Sequence, residues 1–143
     1  ADASEYVGLR ESPTNSVTGR MDVNDVSGQV IDAAVTVHKA LGPGLLEGAY
    51  EACMVIELRL RGLRVDSQRE VPIVYRGTRI DVGYRLDMLV EQQVVVELKA
   101  VSNLLPIHQA QLLSYLKLGG FKVGLLLNFH APRMKDEMLR LAN

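Results

Sequence analysis

One short segment, Val94-Val95-Val96-Glu97-Leu98-Lys99, constrains this chain more than any other. Three consecutive β-branched residues followed by a buried-type leucine read as a strand packed deep in a sheet. Phe121 to Asn128, rich in Val and Leu, reads as a second buried strand. Strands of this kind need helices to cover them, and the rest of the chain supplies helical periodicity. Val26, Val30, Ala33, Val37 and Leu41 recur every three to four residues, predicting an amphipathic helix capped by Asn24 or Asp25. Gly42-Pro43-Gly44 stops it, and a second helix is expected from Leu46 to Arg61, punctuated by Gly62. The period then falls to two. Short strands are expected near 64–68 and 70–75, with a turn at Arg76-Gly77-Thr78 into a strand over 79–90. Glu91-Gln92-Gln93 forms the next turn. Pro106 opens a helix to about Leu118 that ends at Gly119-Gly120, and a last helix is expected over 133–142. The fold class is α/β, more strictly an α+β mixed sheet with helices against it.

The chain has 143 residues, 48% hydrophobic and 23% charged, which fits one domain with its own core and excludes a disordered or fibrous chain. Residues 1–20 lack periodicity and are expected to be a flexible tail or a segment added ahead of Met21, leaving 21–143 as the domain. Cys53 is the only cysteine, so no internal disulfide forms, and a buried inert thiol is expected. With no signal peptide and no apolar run of bilayer length, the expected location is cytoplasmic. The net charge of −1 conceals an asymmetry. From 59 to 85, seven arginines (Arg59, Arg61, Arg64, Arg69, Arg76, Arg79 and Arg85) face only Asp66, Glu70 and Asp81. Such a stretch suits phosphate contacts or is simply a solvated face.

The chemistry concentrates on Asp87, Glu97 and Lys99. If a three-residue loop closes the hairpin at 91–93, Val90 pairs with Val94 and Asp87 lies opposite Glu97. Lys99 shares the face of Glu97, because side chains alternate along a strand. Two adjacent carboxylates must share a proton or hold a cation, and hard oxygen ligands with open positions suit Mg²⁺ or Mn²⁺. A lysine beside such an ion can orient or deprotonate an attacking water, so the set suits phosphodiester hydrolysis. The plainer alternative is an exposed charge pair, but charges inside so apolar a strand would be costly. Two further elements stand nearby. Glu47 lies in the first turn of the second helix with Tyr50 and Glu51, where it could simply complement the helix dipole. His108, Gln111 and Tyr115 form a polar stripe on the helix after Pro106, and His108 alone among the three histidines is a candidate site residue.

The runs GPGLLEGAY, YRLDMLV, VVVELKA and LLPIHQAQLLSYLKL, in this order, resemble the GxxExxY protein family of the PD-(D/E)XK nuclease superfamily. The resemblance spans about Met21 to Asn143. It implies a restriction-endonuclease-like αβββαβ core, here with an extra N-terminal and an extra C-terminal helix. It also implies that Asp87 and Glu97 are metal ligands, Lys99 the catalytic lysine, and Glu47 the helix glutamate that helps hold the metal or orient the lysine. Gln111 and Tyr115 match the Gln-x-x-x-Tyr helix whose side chains contact the site or the nucleic-acid strand, and His108 joins them as a substrate-binding candidate. Leu86 stands where the superfamily's name has proline.

The expected function is that of a Mg²⁺- or Mn²⁺-dependent nuclease hydrolysing phosphodiester bonds in nucleic acid, with DNA rather than RNA the expected substrate. The alternative is a non-cleaving nucleic-acid-binding or protein-assembly module on the same fold. On either reading a lone domain with little net positive charge favours a homodimer or a partner protein.

Overall fold

The computed structural model describes residues 21–143; the expected tail at 1–20 lies outside them. Two helices come first, α1 (Val23–Leu41) and α2 (Glu47–Leu60). They are followed by strands β1 (Val65–Glu70), β2 (Ile73–Tyr75), β3 (Thr78–Ile80), β4 (Arg85–Val90) and β5 (Val94–Lys99). Helix α3 (Pro106–Gly119), β6 (Val123–Asn128), a 3-10 turn (Met134–Asp136) and β7 (Met138–Ala142) complete the chain. Five strands form one sheet in the order β1-β4-β5-β6-β7, while β2 and β3 form a separate two-stranded sheet. Among the described strands only β5 and β6 are parallel, and the crossover between them is α3.

Helices cover both faces of the large sheet. On one side Val26, Val30, Ala33 and Val37 of α1 and Tyr50, Met54 and Leu58 of α2 pack on Met88, Val90, Val94, Val96, Leu98, Leu125 and Leu127. On the other, Leu112 and Leu116 of α3 pack on Leu86, Leu89, Val95 and Leu126. Gly124 permits this second approach, since a Cβ there would lie 2.9 Å from a Leu112 methyl. The odd–even split of valines in β5 is thus a split between two cores, as expected of a strand buried on both faces.

Four expectations change. The first helix begins two or three residues early, with Asp22 as N-cap accepting from the Asn24 amide at 3.2 Å. The single strand expected over 79–90 is broken into β3 and β4, with Gly83 at φ 82° between them. The C-terminal helix expected over 133–142 is absent. A 3-10 turn and β7 stand there instead, β7 pairing antiparallel with β6 from Leu127–Met138 to Val123–Ala142. The apolar spacing of Met134, Met138 and Leu141 is compatible with a helix. As a strand, however, the segment satisfies the outer backbone groups of β6 and sends Met138 and Leu141 to opposite cores. Finally, Tyr50 turns into the core rather than joining Glu47 and Glu51. Its ring stacks on Phe129 with centroids 4.6 Å apart.

The Tyr50 hydroxyl donates to the Gly42 carbonyl at 2.6 Å and accepts from the Leu45 amide at 3.1 Å. It therefore ties down the Gly-Pro-Gly turn that sets where α2 begins. Tyr50→Phe leaves both backbone groups without this partner and should cost about 1–3 kcal/mol in a urea melt, with the far-ultraviolet spectrum unchanged.

Candidate active site

The β4–β5 hairpin has the register expected of a three-residue loop: Val90 pairs with Val94, Leu89 with Val95 and Met88 with Val96. The next opposed pair is Asp87 and Glu97, and there the backbone ladder ends. Side chains take over its hydrogen bonds. The Asp87 amide donates to Glu97 Oε2 at 2.9 Å, and the Leu98 amide donates to Asp87 Oδ2 at 2.8 Å. Each strand therefore offers a carboxylate to the other's backbone.

Backbone distortion accompanies this opening. Leu86 and Leu89 face α3, whereas Met88 and Val90 face α1 and α2, so the alternation of β4 slips at Asp87. On the neighbouring strand, β1 pairs with β4 on either side of this point, Ser67 with Met88 and Arg69 with Leu86. The residue between them, Gln68, has φ 54°, a conformation uncommon for a non-glycine residue. Its side-chain amide donates to Glu51 of α2 at 2.6 Å. Strain in β1 and an acidic residue of α2 thus meet beside Asp87.

Burial governs the electrostatics. Glu97 is 8% exposed, and loss of hydration raises its pKa to about 8, with the Asp87 charge raising it further. Asp87 is raised to about 6, first by burial and then by Glu51 and Glu47, while the Leu98 amide and Lys99 act in the opposite direction. Lys99 lowers both carboxyls, so its ammonium lies close enough to be felt by the pair. Tyr115 of α3 is raised by burial and then by Glu97, and its ring lies 6.1 Å from that of Tyr84. The pair is consequently flanked by α2 on one side and α3 on the other.

Asp87, Glu97 and Lys99 are therefore brought together, with Tyr115 and Glu47 near enough to interact electrostatically. Among the described residues, no three His, Cys, Asp or Glu side chains gather as a ready metal-binding cluster. The donors on hand are two carboxylates, a set that fits an oxygen-seeking cation retaining several waters. Gln111 is exposed on α3. His108 Nδ1 accepts from the Leu105 amide at 3.0 Å, so this histidine helps start α3. His38 is buried and bonded to the Ala131 carbonyl at 2.8 Å, consistent with a packing role. Cys53 is a free, half-buried thiol packed against the core. The arginine-rich stretch does not form one uncommitted basic face. Arg61 is paired with Asp32 and Glu57, Arg69 with Asp66, Arg79 with Asp81 and Arg85 with Glu70.

Two parts of the site escape sequence reasoning. Glu51 is signalled only by its spacing of four from Glu47. Asn128, wholly buried beside Lys99 in the β5–β6 register, had no signal at all. Its side chain accepts from the Val101 amide and donates to the Val101 carbonyl and to Glu137, while Glu137 also accepts from Leu104. This latch fixes the loop running from Lys99 to α3.

Residues 24–141 match the family model of the PD-(D/E)XK nuclease superfamily. The chain belongs to this superfamily. Members of the PD-(D/E)XK superfamily are generally nucleases and typically use divalent metal ions. The five-stranded mixed sheet with helices on both faces agrees with the superfamily fold. No match was found among curated proteins or among solved structures. No helix among the described residues is long and apolar enough to cross a membrane.

For a carboxyl whose folded pKa lies above its unfolded value, stability is greatest below the unfolded value, near 4, and is lost as pH rises through the folded one. The metal-free protein should therefore lose stability from about pH 4 to about pH 8, by an amount on the order of a few kcal/mol. Glu97→Gln keeps an acceptor for the Asp87 amide but cannot ionise. Its stability should level off above about pH 7 in thermal melts, once Asp87 has ionised, while the wild type continues to decline toward pH 8.

Proposed function

We propose that this protein is a Mg²⁺- or Mn²⁺-dependent nuclease of the GxxExxY branch that hydrolyses phosphodiester bonds in DNA. The observation that carries this reading is the buried Asp87–Glu97 pair, held by backbone amides at the point where two strands part, with Lys99 on the same edge. Two buried carboxyls raised toward neutrality are a poor stabilising device on their own, and a cation removes the penalty.

Asp87 and Glu97 would hold the metal, with Glu47 and Glu51 adding negative potential from α2. When bound, the cation would neutralise charge building on the phosphoryl oxygens. The chain's own residues do the remainder. The Leu98 and Asp87 amides fix the two carboxylates, so their geometry costs little to reach. Lys99 would orient the attacking water and accept or hold its proton, its stem kept in place by the β5–β6 ladder that runs on to Asn128. Tyr115, with Gln111 one turn before it on α3, would contact the strand beside the scissile bond. Glu47 would help hold the metal or orient Lys99.

Two variants test this assignment. Lys99→Ala should retain Mn²⁺ binding by calorimetry yet cut DNA at least about a hundredfold more slowly, the usual lower bound for losing a proton-transferring group. Glu97→Ala should lose both binding and cleavage. Unchanged cleavage by Lys99→Ala would refute the role given to the lysine. A wild type that binds DNA and metal but never cuts would favour the non-cleaving module instead.

A further inference from the structure

From Val74 to Arg85 every residue is exposed, an unusual run for a segment that holds most of β2 and all of β3. Among the described residues, strands β2 and β3 pair only with each other, through Ile73–Ile80, Val74–Arg79 and Tyr75–Thr78. The tip is a two-residue turn, Arg76-Gly77, with φ of 49° and 79°, the positive pair that tight hairpins need. The base is closed by the Val71 amide donating to the Tyr84 carbonyl at 2.8 Å.

A lone two-stranded hairpin is marginal in water, and this one spends its large side chains on solvent. Val74 and Tyr75 are each 63% exposed, Val82 48% and Tyr84 45%. The core does not use them, so folding does not account for them. Aromatic residues make the distribution more specific. Four tyrosines lie among the described residues; Tyr50 is buried, and the other three are Tyr75, Tyr84 and Tyr115. Tyr75 stands at the hairpin tip with the Arg76 guanidinium 5.8 Å over its ring, Tyr84 at the base, and Tyr115 next to Tyr84 on the site. Arg79 lies in the arm and Arg85 at its base, each in an exposed ion pair, with Asp81 and Glu70 respectively, that a phosphate would have to share.

Aromatic faces bracketed by arginines match the bases and phosphates of an unpaired strand. Stacking accepts any base, and guanidinium groups answer the backbone charge. A duplex hides its base faces and would leave these rings unused. We infer that the β2–β3 hairpin is a stacking arm that takes unpaired nucleotides on Tyr75 and Tyr84 and leads the strand to the Asp87–Glu97 site. The inference rests on the nuclease reading and narrows its substrate to single strands or frayed ends.

The test uses a fluorescein-labelled oligothymidylate and a labelled duplex of the same length, with chelator present so that nothing is cut. The wild type should bind the single strand more tightly than the duplex. Tyr75→Ala should weaken single-strand binding about tenfold, and Tyr75→Phe, which keeps the ring, should restore it. Because the chain contains no tryptophan, its intrinsic fluorescence comes from tyrosine, and stacking should quench it on strand binding. Equal or tighter binding of the duplex overturns the inference, as does a Tyr75→Ala variant with wild-type affinity. So does a Tyr75→Ala variant that loses self-association instead, which would make the arm a contact between copies. Calorimetry with Mn²⁺ separates the two levels. If the wild type binds the metal but Tyr75 proves irrelevant to the strand, only the arm fails. If the folded wild type binds no metal, it is the nuclease reading that fails.

Discussion

The proposed site depends on one exchange of hydrogen bonds, in which the carboxylates of Asp87 and Glu97 replace the backbone ladder between β4 and β5. An ordinary antiparallel pair would have continued past Met88–Val96 and left no room for a ligand. Instead each strand end is held by the other's acid, and β5 runs on beside β6 alone. The slip in β4, the positive φ of Gln68 and the Gln68–Glu51 bond all lie around this opening. They are local departures from regular structure clustered where chemistry is proposed, the usual place for such strain.

The arrangement trades stability for readiness. Glu97 is almost wholly enclosed, and its preference for the neutral form sets it against the charge that a cation requires. The fold supports that tension with rigid neighbours. Val94, Val96 and Leu98 anchor β5 in one core, and Val95 anchors it in the other. Asn128 and Glu137 latch the loop after Lys99, and Tyr50 fixes the turn before Glu47. The elements that carry the site are thus held by partners outside it. The large buried sheet serves as a mount for a small charged edge.

Much of this was legible in the sequence because the consecutive run Val94-Val95-Val96 reads as a strand packed deep in a sheet. With Val94, Val96 and Leu98 on one face, a three-residue loop, one of two turn lengths the sequence allows, sets Asp87 against Glu97, and the structure has that register. What sequence reasoning missed involves choices made by tertiary contact. Residues 138–142 satisfy the free edge of β6 as a strand, a demand that no local helical spacing reveals. The expected strand over 79–90 breaks at Gly83 because its first part pairs with β2 and its second with β1 and β5. Tyr50 sits one helical turn from Glu47, but a hydroxyl that spans a Gly-Pro-Gly turn is visible only once the turn is folded. Glu51 gains its importance from Gln68, seventeen residues away in sequence.

The central claim is that Asp87 and Glu97 form a buried pair kept for a cation, and carboxyl carbon chemical shifts read this most directly. Followed by NMR across pH, Glu97 in the metal-free protein should titrate near 8, and saturating Mg²⁺ should move that titration well into the acidic range while the fold stays intact. A Glu97 that titrates near 4 without metal, or whose titration Mg²⁺ leaves untouched, would contradict the account.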